Sequence, residues 1–391
     1  MGRLSSFLMP ADNLSRLRRE AAVFTILAAL LIMTACRFML PMWGAINAGV
    51  WLFVVSLVTG VEFAYLFRSL GDNRSPAGGD LFPSLGLANC ITTFRGVFNA
   101  MLIGFLFCPV PSGWLLWMPG ALYLVSAVMD FFDGLAARLA NQTTVLGETL
   151  DSRWDEIGFT AGVILSVRYG QAPVIYLLVG FARYLFMLGI WLRRRQGLAV
   201  YDLPPSRFRR PLAGIQMVII GAILLPVFVP PVTWTVVTIF MIPFLANFLF
   251  DWFVVSGQLR PVRSLQMLRE LPVIKRAGSL LPLFARFSLV ILLASLLLNE
   301  IWLGRQPVSV LILAVLAILA LAAGVAGRLV ALAVMIMAGL GLGAVPNLLY
   351  GLEPLHLWLI LLVSAVLFLT STGQFSMWRP EDWLIDHRAG E

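Results

Sequence analysis

The sequence has little charge: only 12% of its 391 residues are Asp, Glu, Lys or Arg, with two histidines and three cysteines. Soluble domains carry about 25% charged residues, so a water-soluble fold of this length, which would lack polar groups to cover its surface, is excluded. The cysteines, Cys36, Cys90 and Cys108, lie in or beside apolar segments and form no CxxC pair. That excludes a disulfide framework and a structural zinc site. The net charge is +8, yet no RNA- or DNA-binding motif is present, so no nucleic-acid partner is expected. The basic residues instead cluster in short stretches between apolar runs, the pattern of positive-inside bias and of attraction to anionic membrane lipid.

What is abundant is apolar. Hydrophobic residues make up 60% of the chain, and the mean hydropathy is +0.91. About 20 apolar residues cross the hydrocarbon of a bilayer. The runs therefore predict an all-α, polytopic membrane helix bundle of about twelve transmembrane helices, near 20–38, 44–67, 90–109, 114–138, 152–168, 172–192, 212–230, 233–254, 284–303, 307–323, 329–349 and 355–373. Arg16, Arg18 and Arg19, then Arg68 and Arg74, Arg138 and Arg153, Arg193 to Arg210, and Arg260 to Arg276 all fall on one side if these spans alternate. That side is expected to be cytoplasmic, with both ends inside.

Four blocks follow. Residues 1–79 hold a basic segment and two spans, and residues 80–256 hold six spans with nearly all the polar residues of chemical interest. Residues 257–283 form a basic cytoplasmic linker with Pro261 and Pro272, and residues 284–391 form a four-helix C-terminal membrane region.

The chemistry concentrates in DFFDGLAARLANQTTVLGETLDSRWD, residues 130–155. Asp130 and Asp133 are three apart and Asp151 and Asp155 four apart, so each pair shares a helix face. A turn near Asn141 to Thr144 is expected to join the two helices as an antiparallel pair and bring the four carboxylates together at the cytoplasmic end. Charged groups at membrane depth are costly and usually functional. Four carboxylates repel one another unless a cation lies between them, and hard oxygen donors select Mg²⁺, Mn²⁺ or Ca²⁺ over zinc. Gly134, Ala137 and Gly147 leave room for a ligand near the backbone. Arg138 can pair bidentately with a phosphate. The residues alone predict a metal–phosphate site facing the cytoplasm.

The segment resembles the signature of the CDP-alcohol phosphotransferase (CDP-alcohol phosphatidyltransferase) family, D-x2-D-G-x2-A-R-x8-G-x3-D-x3-D, at every specified position: Asp130, Asp133, Gly134, Ala137, Arg138, Gly147, Asp151 and Asp155. Asn89 to Arg95 is similar to the N-x-x-T-x-x-R stretch that opens the family domain. The resemblance covers residues 80–256 and implies a six-helix core.

It also implies a role for each motif residue. Asp130, Asp133 and Asp151 would hold two ions, Mg²⁺ or Mn²⁺, against the donor diphosphate. Asp155 would be the general base toward the acceptor hydroxyl and a ligand of the second ion. Gly134, Ala137, Arg138, Thr144 and Gly147, with Asn89 and Thr92, would line the donor pocket; Thr144 and Asn89 read equally well as helix caps. Arg183, Arg207 and Arg210 are candidate acceptor-binding residues, with Arg207, Arg209 and Arg210 equally suited to lipid headgroups. The function implied is transfer of a phospho-alcohol, here a phosphatidyl group, from a CDP-linked donor such as CDP-diacylglycerol to an alcohol acceptor. CMP is released, as in phospholipid biosynthesis at a bacterial inner membrane. The family also allows a homodimer. A membrane transporter and a non-catalytic scaffold are the alternatives; the first lacks a visible internal repeat, and the intact motif argues against the second.

Overall fold

The computed structural model describes residues 9–140, 143–203, 209–259, 272–303, 308–342 and 354–370. Among them no strand occurs, and eleven α-helices form: α1 Met9–Ser69, α2 Gly86–Gly104, α3 Trp117–Ala140, α4 Val145–Arg168, α5 Leu177–Arg195, α6 Arg209–Leu224, α7 Val232–Val255, α8 Pro272–Leu303, α9 Val308–Ala323, α10 Gly327–Leu342 and α11 Pro354–Thr370. Among the described residues, five helical segments are long and apolar enough to cross a membrane: Asn13–Asp72, Gly86–Phe107, Val174–Arg195, Val232–Val255 and Leu280–Leu298. Helices α3 and α4, at 24 residues each, carry the acidic motif.

The first of these segments is two helices in one. Gly44 adopts φ 79°, ψ 159°, just past Pro41. The Cys36 thiol lies 3.7 Å from the Ala48 carbonyl oxygen, although twelve residues of unbroken helix would separate them by about 18 Å. The chain therefore folds back at Gly44 into a helical hairpin, matching the two spans expected there. Its outward stripe is apolar: Val23, Ile26, Leu30 and Met33 are exposed while Ala21, Ala28 and Ile32 are buried. A stripe of that kind is unfavourable in water and suits hydrocarbon.

Close packing divides the chain into two units, Met1–Gly180 with Met217–Pro226, and Phe181–Gln216 with Val227–Glu391. In the first, α2 is the central helix, and α1, α3 and α4 all pack on it. Glycines set the approach of its neighbours. A Cβ on Gly104 would stand 2.6 Å from the Trp51 ring, and that buried indole donates from Nε1 to the Met101 carbonyl at 3.0 Å. On α4, a Cβ on Gly158 would lie 2.6 Å from the Asn99 carboxamide. Asn99 donates to the Trp154 carbonyl at 3.0 Å and accepts from the Ser126 hydroxyl at 2.7 Å, tying α2 to both α4 and α3. Side-chain hydrogen bonds between membrane helices contribute on the order of 0.6 kcal/mol each, so several are needed to fix a helix pair.

In the second unit, the Trp252 ring lies against Gly189, where a Cβ would be 2.5 Å away. Arg209 at the start of α6 pairs bidentately with the buried Asp251 of α7, at 2.8 and 2.9 Å. In the C-terminal region α11 packs on α8 and α10, and α9 packs on α8.

Candidate active site

All four motif aspartates lie in the first unit, on α3 and α4. Thr144 starts α4. Its hydroxyl accepts from the Gly147 backbone N–H at 2.9 Å, satisfying one of the donors a helix leaves open at its first turn. Asp151 and Asp155 follow on the next two turns. Their carboxylates and that of Asp130 have oxygens within 4.8 Å of one another. Asp133 is deeper: its side chain is 7% exposed, against 34–44% for the other three. There it accepts from the Thr92 hydroxyl at 3.0 Å.

The centre of the cluster is a side chain from α2. Arg95 is 1% exposed, and its fork spans both acid-bearing helices. Nη1 contacts Asp130 directly and lies 3.4 Å from Asp133, whereas Nη2 lies 2.5 Å from Asp151 and 3.0 Å from Asp155. Four carboxylates around one guanidinium leave a threefold negative excess when all are ionised. Two unit charges 4.8 Å apart interact by about 3.5 kcal/mol at an effective dielectric of 20, so the excess strongly favours a cation. The exposed donors are all carboxylate oxygens, which suits Mg²⁺ or Mn²⁺, and three of them line the open side of the site. The residues present fit such an ion.

Arg95 stood in the N-x-x-T-x-x-R stretch without a role. The signal was available: an arginine in the middle of a span needs a partner, and the aspartates are the partners. Asn89, Thr92 and Arg95 fall at i, i+3 and i+6 on the face of α2 turned to the acids.

Asn89 joins the start of α4, its Nδ2 donating to Thr144 Oγ1 at 3.0 Å while its Oδ1 accepts from the same hydroxyl at 3.2 Å. This contact explains the motif glycine, because a Cβ on Gly147 would lie 2.4 Å from Asn89 Oδ1. Gly134, Ala137 and Arg138 lie on the last turns of α3, with side chains outside the described residues. Arg183 is exposed on α5. Arg207 and the side chain of Arg210 also lie outside the described residues. Their neighbour Arg209 is the one engaged by Asp251.

Residues 85–246 match the family model described as CDP-alcohol phosphatidyltransferase. Over 85 residues the chain is 32% identical to a protein of Wigglesworthia glossinidia brevipalpis named CDP-diacylglycerol–glycerol-3-phosphate 3-phosphatidyltransferase. The matched stretch is 22% of this chain and 46% of that protein, so the chain spans about half the length of this relative. No solved structure matches. With the motif intact, its carboxylates gathered on two helices, and the matched region covering both, residues 85–246 are similar to the CDP-alcohol phosphatidyltransferase family.

Proposed function

We propose that this protein transfers a phosphatidyl group from CDP-diacylglycerol to an alcohol, releasing CMP, with divalent metal held by Asp130, Asp133, Asp151 and Asp155. The observation that carries this reading is the cluster of four carboxylates, left with excess negative charge around Arg95. When bound, Mg²⁺ or Mn²⁺ would neutralise the donor diphosphate and the departing CMP.

The chain's own residues do the rest. Arg95 holds the two acid-bearing helices at a fixed separation. Asp155 accepts the proton of the acceptor hydroxyl. The freed oxygen attacks the phosphorus that bears the lipid, and the bond from that phosphorus to the CMP oxygen breaks. A carboxylate is a weak base at neutral pH, so Asp155 works mainly by position. The relative's name specifies glycerol 3-phosphate as acceptor. A phosphorylated polyol suits the basic stretch that ends in Arg210, with Arg183, Arg207 and Arg210 as acceptor contacts.

The membrane arrangement follows the same reading. We infer about twelve crossings, with the two arms of α1 counted separately. Residues 80–256 form the six-helix catalytic domain, flanked by the hairpin of 1–79 and, after the linker 257–283, the four helices of 284–391. The acids then face the cytoplasm, where the nucleotide is, across a bacterial inner membrane.

The test is CMP release by purified protein with Mg²⁺ or Mn²⁺, CDP-diacylglycerol and a panel of acceptors: glycerol phosphate, inositol, inositol phosphate, serine, choline and ethanolamine. Wild type should release CMP with one of them. Asp151→Asn and Asp155→Asn should lower the rate by at least about a hundredfold while still folding. Equal release by wild type and both variants would sink the mechanism.

A further inference from the structure

Asn73 lies outside the family-matched segment, in the loop between the N-terminal hairpin and α2, and it is completely buried. Both polar ends of its side chain are engaged. Nδ2 donates to the Ser84 carbonyl at 2.8 Å, closing the loop, and Oδ1 accepts from Asn89 Nδ2 at 3.0 Å. Asn89 Nδ2 therefore has two acceptors, Asn73 Oδ1 and Thr144 Oγ1. An amide nitrogen has two hydrogens to donate, so both are used. A flipped Asn89 amide would set its oxygen against Asn73 Oδ1, two acceptors face to face. Asn73 thus fixes which way the Asn89 carboxamide points, and through it the Thr144 hydroxyl that caps α4.

The next residue of the loop grips the same place through the backbone. The Val145 N–H donates to the Arg74 carbonyl at 3.0 Å. The hairpin itself touches α4 about two turns further on, where the Arg153 guanidinium stacks 4.0 Å from the centre of the Tyr65 ring. Two direct contacts from residues 65–74, with the Asn73–Asn89 relay beside them, thus bracket the turns of α4 that carry Asp151.

We propose that Asn73 is a positioning residue for the transferase site: it orients Asn89 and Thr144, making the N-terminal hairpin part of the catalytic unit and not a separate anchor. The proposal rests on the functional reading above only for its kinetic consequence, since the polar relay stands on geometry alone.

Two measurements on the full-length protein separate these. Hydrogen exchange of the 144–150 backbone, compared between wild type and Asn73→Ala, reads the relay whether or not CMP is released. Faster exchange there, by at least about tenfold, is expected, and unchanged exchange overturns the proposal. Asn73→Ser, too short to reach Asn89 but still polar, gives the same readout if the alanine variant does not fold.

In the CMP-release assay, Asn73→Ala should raise KM for the CDP donor about tenfold and leave kcat within about twofold. That increase should vanish in an Asn89→Ala background, because the effect travels through Asn89. A merely structural role would give effects that add. Additivity, or faster exchange with no change in donor KM, overturns the positioning role. Absence of CMP release from wild type would overturn the functional reading, with the exchange measurement still deciding the relay.

Discussion

Replacing Arg95 by glutamine removes the charge around which four aspartates gather, and the result should depend on metal. The guanidinium touches all four acids from a position that is 1% exposed. Breaking a buried ion cluster from one side costs about 3–5 kcal/mol, because the surviving charges are left uncompensated. For a unit of this size each kcal/mol moves the midpoint by about 2–4 °C. Arg95→Gln in chelator should therefore unfold about 6–20 °C below wild type. Mn²⁺ should then raise the variant's midpoint by more than it raises that of wild type, because a site with one more uncompensated negative charge binds a dication more tightly, and binding to the folded state alone stabilises it. Arg95→Lys should recover only part of the loss, since an ammonium cannot fork between the Asp130 and Asp151 sides as the guanidinium does. The measurement is thermal unfolding in detergent with chelator and with graded Mn²⁺. Equal midpoints in chelator, or equal increments from Mn²⁺, would refute the view that Arg95 and the cation share one set of carboxylates.

Two further outcomes follow from packing. Gly147→Ala places a methyl 2.4 Å from Asn89 Oδ1; it should lower stability by about 1–3 kcal/mol and slow CMP release, while alanine at Gly214, where a Cβ would meet nothing within 4 Å, should leave both unchanged. Asp251→Asn leaves the Arg209 fork facing a neutral amide and should destabilise the protein by about 1.5–3 kcal/mol; denaturation of single and double variants should show that Arg209→Gln adds little once Asp251 is gone.

Much of this organisation was legible in the sequence because membrane spans and metal motifs are both written in spacing. The hairpin of α1 matches the runs 20–38 and 44–67, since the break at Gly44 opens the second. The apolar run reads only from residue 152, whereas the helix that carries it begins at Val145, just past the turn expected near Asn141 to Thr144. Its first turns carry Glu148, Asp151 and Arg153, which break an apolar run without breaking a helix capped by Thr144. The acids and their convergence followed from i, i+3 and i, i+4 spacing. The expected pairing of the two acid-bearing helices took a different form, because both pack on α2 and Arg95 enters between their carboxylates. Asn73 could not be read at all. An asparagine in a Gly- and Pro-containing loop looks like any turn residue, and only the folded chain brings it to Asn89.

Arg95 also bears on how the chain enters the membrane. An arginine at the centre of a span opposes insertion by about 2.5–3.5 kcal/mol, and the first of its four acidic partners lies 35 residues downstream. When α2 leaves the ribosome neither α3 nor α4 exists to receive its charge. Insertion of α2 is therefore favoured once α3 brings Asp130 and Asp133 to its guanidinium, and α4 then adds the acids that leave the group with excess negative charge. Truncation between α2 and α3 should leave the Arg95 charge at membrane depth with none of its four acidic partners.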